Sequence, residues 1–206
     1  IGEMFGIVHQ FLNRDKLGYG VAAGAPGWIS ANISQSLWCI AFRPWALREL
    51  WLSSALLGTT AVCLFVSLHR EQSQYNGKVA EPLRWLRIFP RSLHLGWVSA
   101  ATLVNINAWV GYDTRFDSQA ALVSTMISVT VATCLGLCYG VLTKMPLAGI
   151  AVAWALVAVS FGEPVGQSAE IVGPMVLGAL AISEGVCGMV CGVVCASRAI
   201  LLRFAS

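Results

Sequence analysis

Long runs of apolar residues without a charged side chain divide this sequence. Four such runs have about 18 residues or more, and they cover residues 50–69, 92–112, 118–143 and 145–162. Two further runs are less regular. Residues 17–42 open with glycines and a proline that predict a loop before the helix, and residues 171–197 are interrupted only by Glu184.

Each run is long enough to cross the hydrocarbon core of a bilayer as a helix. None shows the alternation of period two that is typical of a membrane strand. We therefore predict an all-α, polytopic transmembrane helix bundle that forms one domain over residues 1–206, without a sheet. The predicted helices are residues 28–45, 49–69, 91–111, 118–143, 145–162 and 171–198. Because residue 1 is Ile, we expect residues 1–12 to be the tail of a truncated first helix from a longer precursor.

The long polar stretch lies between the second and third predicted helices, at residues 70–91. Near its end, Leu83, Leu86 and Phe89 recur at helical spacing with arginines between them. This pattern favours a short amphipathic helix in the headgroup layer, with Trp85 as its interfacial anchor. A solvated loop is the alternative.

Composition agrees with a membrane location. Of the 206 residues, 57% are hydrophobic and 11% are charged, and the mean hydropathy is +0.71. A soluble domain has roughly a quarter charged residues, so a soluble enzyme is excluded.

The basic residues predict the orientation of the bundle, since cytoplasmic-side loops collect Lys and Arg. Ten of the 13 basic residues fall on one face of the predicted topology, and the exceptions are Arg43, Arg48 and Arg115. We predict that the richer face is cytoplasmic, stromal or matrix. The net charge of +3 is thus an orientation signal, and no nucleic-acid partner is expected.

The seven cysteines all lie inside apolar runs. Cys187, Cys191 and Cys195 repeat every four residues beside Gly188 and Gly192. Small residues at this spacing let helices approach closely in lipid, so we predict a helix-packing seam and not a metal site. A second helix-packing seam is predicted by the same spacing at Cys134 and Cys138, with Gly136 and Gly140 beside them.

Catalysis is not expected, because the sequence lacks phosphate-loop and metalloprotease motifs and paired carboxylates within one predicted helix. Glu184 should face the bundle interior, since a carboxylate in mid-membrane costs about 2.5–3.5 kcal/mol. One hypothesis is that Glu184 relays protons or cations. The favoured hypothesis is that its side chain is protonated and forms a hydrogen bond with a Ser or Thr of a neighbouring helix.

A cluster of polar and aromatic side chains occupies the predicted helix 91–111. Its members are His94, Trp97, Asn105, Asn107 and Trp109. Helical spacing puts the first three roughly on one stripe, where a polar macrocycle edge would meet them together. The alternative is an aromatic belt with interhelical amide bonds. His94 is also a candidate axial ligand for the central metal of a pigment, ahead of His69 and His9, since Gly96 beside it would leave room for a flat ring.

Four segments resemble the translocator-protein and tryptophan-rich sensory protein family (TspO/MBR), in its longer bacterial, algal and plant branch. They are residues 27–42, the Trp51-Leu-Ser-Ser segment, residues 93–105 with their Leu-Gly-Trp, Ala-Thr and Asn motif, and residues 151–158. The resemblance implies a helical bundle that binds tetrapyrroles or sterols in an interior pocket. The matching positions are Asn32, Trp38, Trp97 and Asn105.

These features together predict a non-catalytic accessory subunit of a large photosynthetic or respiratory membrane complex, in contact with lipids and other subunits. The cofactor we expect is chlorophyll or another tetrapyrrole, with lipid or carotenoid contacts. The thylakoid is the first predicted location and the mitochondrial inner membrane the second. The alternatives are a stand-alone tetrapyrrole or sterol sensor and, as a weaker candidate, a transporter that uses Glu184.

Overall fold

The computed structural model describes residues 18–43, 49–74, 87–113, 115–161 and 174–204. These residues form six α-helices, and no strand occurs among them. The helices are α1 (Gly18–Ala41), α2 (Leu50–Gln74), α3 (Phe89–Tyr112), α4 (Ser118–Leu137), α5 (Pro146–Ser160) and α6 (Pro174–Phe204). The predicted all-α bundle is confirmed. The expected helix tail at residues 1–12 and the anchor Trp85 lie outside the described residues.

Three helical segments are long and apolar enough to cross a membrane by length and composition. They are Leu50–Gln74, Gln119–Leu142 and Ile182–Leu201. Helix α5 is a shorter apolar helix. Many large apolar side chains point outward from the bundle, as expected where lipid is the solvent.

The helices pack in a chain of neighbours in which α2 contacts α1 and α3, and α3 also contacts α5. Helix α5 contacts α6, and α4 packs against α3, α5 and α6. Helix α3 therefore lies between α2 on one side and α5 on another. The buried centre is made by Leu57, Leu64 and Leu68 of α2, Leu95 and Val98 of α3, and Ala148 and Val152 of α5.

The glycine-rich start of the first run is helical, so the predicted loop there is wrong. Helix α1 begins at Gly18 and continues through Pro26. The small residues serve packing: a Cβ on Gly24 would lie 3.0 Å from the Ser67 backbone oxygen, and one on Gly27 would lie 2.8 Å from that of Cys63. Close packing on α2 thus stabilises a helix that intrinsic propensity disfavours.

The end of α4 passes into a π-helix at Cys138–Leu142. Within it, Tyr139 is buried and its hydroxyl lies 3.0 Å from the Ser99 hydroxyl of α3. A turn with Lys144 at a φ of 57° then leads into α5. This hydrogen bond links the π-helix at the end of α4 to α3.

The connection between α3 and α4 is short and polar. Asp113 accepts a hydrogen bond from Arg115 Nε at 2.9 Å, and the guanidinium lowers the pKa of this carboxyl to about 2. Asp117 caps α4 by accepting from the Ala120 backbone N–H at 2.8 Å. Because the Asp113 pKa is lowered, the contribution of this pair to stability is present above about pH 4 and is lost as the pH falls toward 2.

The seam predicted on α6 faces other helices, as expected. Cys191 and Cys195 are fully buried, and the Cys195 thiol lies 3.4 Å from the Gly136 backbone oxygen of α4. A Cβ on Gly188 would lie 2.8 Å from the Ala153 backbone oxygen of α5. The second stripe is confirmed only for its glycines, Gly136 and Gly140, which face these thiols, because the Cys134 side chain is exposed.

The α6 seam predicts unequal effects of alanine at its two glycines. Gly188→Ala should lower the free energy of unfolding by about 1–3 kcal/mol, because its Cβ meets the Ala153 backbone oxygen and the Val157 side chain, each at 2.8 Å. Gly192→Ala is the matched control, since its Cβ would lie at an ordinary 3.5 Å from the Ala153 Cβ. Thermal unfolding in detergent measures both, and equal melting temperatures would contradict the seam.

Candidate functional site

A line of hydrogen bonds joins α1, α2 and α3 inside the bundle. Trp38 Nε1 donates to Ser53 Oγ at 2.9 Å, and Ser53 Oγ donates to Asn105 Oδ1 at 2.8 Å. Asn105 Nδ2 donates in turn to the Ala101 backbone oxygen of its own helix at 2.9 Å. Two of the positions implied by the family resemblance, Trp38 and Asn105, are therefore brought together through a serine that sequence reasoning missed.

Asn32 lies elsewhere, on the outer face of α1. Its Nδ2 donates to the Trp28 backbone oxygen at 2.8 Å, and its side chain is exposed. It lines an open groove of about 370 Å³ together with Trp28, Ile29, Ile33, Ser36, Leu37 and Ile40. The groove is almost entirely apolar and borders the region where lipid is expected.

Trp97 points outward from α3 and meets Trp154 of α5. The two ring centroids are 5.5 Å apart with an interplanar angle of 39°, and the residues are 51% and 58% exposed. His94, three residues before Trp97 on the same helix, is half-buried. The structure thus separates the expected stripe, because Trp97 faces α5 while Asn105 bonds to α2.

Gly96 does not leave room for a flat ring, so that expectation is wrong. A Cβ at this position would overlap the Ala148 backbone oxygen and lie 2.8 Å from the Ala151 Cβ. The missing side chain lets α3 and α5 touch at their backbones.

A family model described as TSPO-like protein matches residues 2–191 of the chain. The chain belongs to this TSPO-like family. The resemblance found in the sequence is confirmed, and with its apolar helices the TSPO-like chain is an integral membrane protein. No curated protein and no solved structure matches it.

The TSPO-like bundle also contains a buried ionic cluster between the end of α2 and the start of α3, which sequence reasoning missed. The Glu71 cluster, as we call it, consists of Ser67 and Glu71 of α2 with Arg87 and Arg91 at the start of α3. Glu71 Oε2 accepts from Arg91 Nη1 at 2.6 Å, and Glu71 Oε1 lies 3.4 Å from Arg87 Nε. Glu71 is completely buried and Arg91 is 3% exposed.

The Glu71 cluster also contacts α1. Arg91 Nη2 donates to Ser67 Oγ, and Ser67 Oγ donates to the Gly24 backbone oxygen at 2.6 Å. The sequence interpretation placed Arg91 in a surface segment, and the structure corrects it: α2 continues past His69 to Gln74, and Arg91 turns inward. The sequence contains one signal for this cluster. Ser67 and Glu71 are four residues apart, as are Arg87 and Arg91, and this spacing puts both members of each pair on one helix face.

Glu184 is buried on α6, as the cost of a carboxylate in lipid predicts. Next to it, a Cβ on Gly185 would lie 3.3 Å from the Ser160 hydroxyl of α5. A role for Glu184 in proton or cation transfer stays a prediction.

Three regions of the TSPO-like chain are therefore chemically distinct. The Trp38, Ser53 and Asn105 line holds helices together, the Trp97 and Trp154 pair offers an exposed aromatic surface, and the Glu71 cluster concentrates charge.

Proposed function

We propose that this TSPO-like chain is a non-catalytic accessory subunit of a photosynthetic or respiratory membrane complex, and that it contacts a pigment. The observation that carries the proposal is the exposed pair of indoles, Trp97 and Trp154, on the outer surface of α3 and α5. We favour a thylakoid membrane, with the mitochondrial inner membrane second.

The aromatic pair suits a flat, apolar ligand. In lipid, an aromatic surface attracts a flat ligand through van der Waals packing, and offset rings pack well on macrocycles. His94 lies one turn away on α3 and brings an imidazole to the same end of the bundle. These residues fit chlorophyll or another tetrapyrrole at the periphery, where a neighbouring subunit would cover it.

The interior polar side chains support a structural role. Trp38, Ser53 and Asn105 bond to one another or to their own helix, so their hydrogen-bonding groups serve to join helices. Such bonds contribute about 0.6–2 kcal/mol each in membrane proteins. The pairing of these polar groups with one another favours a structural role over a catalytic one.

The second candidate is a stand-alone sensor or transporter that binds a tetrapyrrole or sterol. The groove around Asn32 favours it, because its volume of about 370 Å³ lies within the range of ligand pockets and it opens along α1. In that case the ligand would contact Ile33 and Leu37 and leave Trp97 uncovered.

Pigment counts separate the two candidates. Trp97→Leu and His94→Leu, each purified in the intact assembly, should lose one bound tetrapyrrole per copy, because the ligand loses its packing surface or its imidazole contact. His69→Leu is the control, as His69 is exposed on α2 and stacks on Phe65. Absorption spectra against protein mass give the count.

Loss of the pigment in Asn32→Leu with no loss in Trp97→Leu would favour the groove and the stand-alone candidate. An unchanged count in both Trp97→Leu and His94→Leu would overturn the pigment contact at α3.

A further inference from the structure

We propose that the Glu71 cluster is a binding site for a phosphate group, belonging either to the headgroup of an anionic lipid or to a free phosphate. The site lies on α2 and α3, away from the aromatic pair, and does not depend on the pigment proposal. Its ligand would be recognised by the guanidinium groups of Arg87 and Arg91.

The balance of charge is the first argument. Within the described residues, the cluster sets two guanidinium groups against one carboxylate, and Glu71 gives one oxygen to each of them. A bound phosphate would add negative charge beside these two guanidinium groups, and hydrogen bonds between Arg and phosphate are among the strong ones. The exposed Arg70, next to Glu71 in the chain, adds positive charge at the same end.

The second argument is an unused donor in the interior. Arg91 is 3% exposed, yet its Nε has no hydrogen-bond acceptor among the described residues. A buried N–H without an acceptor costs about 1–3 kcal/mol. An oxygen-rich anion is the kind of ligand that supplies such acceptors.

Depth in the membrane is the third argument. Glu71 lies three residues before the last residue of α2, and Arg91 lies two residues after the first residue of α3. The cluster is therefore at the level where helices leave the hydrocarbon, which is also the level of lipid phosphates. Basic pockets between helices on the cytoplasmic or matrix side are a known type of anionic headgroup site.

Access and geometry also agree with a phosphate. The Arg87 side chain is 12% exposed, so the cluster opens toward the surface there. The planar guanidinium fork matches the oxygens of a phosphate and binds them in pairs, which a lysine cannot do.

Binding to the full-length chain in detergent tests the site. The probes are short-chain phosphatidylglycerol, short-chain phosphatidylcholine and inorganic phosphate, and native mass spectrometry measures the bound fraction. We expect saturable binding of phosphatidylglycerol that Arg87→Gln weakens at least tenfold. Arg70→Gln, which removes the same charge from an exposed neighbour, should weaken it less than twofold.

Competition by inorganic phosphate would show that the phosphate group alone is recognised, and binding of the lipid without competition would show that the lipid is the source. Arg87→Lys keeps the charge without the fork and should bind about threefold more weakly than the wild type, which preserves the test if Arg87→Gln does not fold. Equal weakening by Arg70→Gln and Arg87→Gln, equal binding of the two lipids, or unchanged binding in Arg87→Lys would overturn the proposal.

Discussion

Gly96→Ala should destabilise the bundle by about 3 kcal/mol or more, at the upper end of the range for overpacked sites. The added Cβ would meet the Ala148 backbone oxygen, which belongs to a rigid helix and has no rotamer to change. Relief requires α3 and α5 to separate, and this would also disturb the packing of Leu95 and Val152. Thermal or denaturant unfolding in detergent measures the loss.

Gly111→Ala is the matched control for this prediction. Gly111 belongs to the same helix, but nothing lies within 4 Å of the position its Cβ would take. Alanine there should be neutral or should gain up to about 1 kcal/mol from helix propensity. Equal losses of unfolding free energy in the two variants would show that α3 and α5 do not pack as closely at Gly96 as the structure indicates.

Glu71→Ala should cost about 3–5 kcal/mol, the range for removing one partner of a buried ion pair. The substitution leaves the Arg91 guanidinium buried without its carboxylate, and it also removes one ion-pair partner of Arg87. Glu49→Ala is the control, because Glu49 is exposed and its carboxylate accepts a surface hydrogen bond from Trp51 Nε1. We expect that control to change the free energy of unfolding by less than about 0.5 kcal/mol.

A double-mutant cycle separates the pair from its surroundings. Glu71→Met combined with Arg91→Met should recover most of the stability that either change loses, since two apolar side chains of similar length replace two charges. Additive losses would mean that the two side chains are not coupled, which would contradict the Glu71 cluster.

The positions of the helices could largely be predicted from the sequence, because the demand for about 20 apolar residues is strict in lipid. The start of α1 could not. Its glycines and Pro26 are poor helix formers, and only the contact of Gly24 and Gly27 with α2 explains their conformation. That contact joins residues about 40 positions apart, which local patterns do not record.

The candidate site was predictable only in part. Trp38 and Asn105 followed from the family resemblance, but Ser53 links them across the bundle, and a serine inside an apolar run has no distinctive signal. Arg91 was misplaced because charged residues at the end of an apolar run usually face water. Its pairing with Glu71 depends on how α2 and α3 meet, and hence on tertiary packing.

The contacts of the outer aromatic surface in intact membranes test the central claim most directly. A photoreactive phenylalanine in place of Leu93, which is exposed one turn before Trp97, samples that surface, and the same probe in place of the exposed Ile127 on α4 serves as the comparison. We expect the Leu93 probe to cross-link to a pigment or to another subunit of the complex. Cross-links from this position to membrane lipids alone would contradict a role as a pigment-contacting accessory subunit.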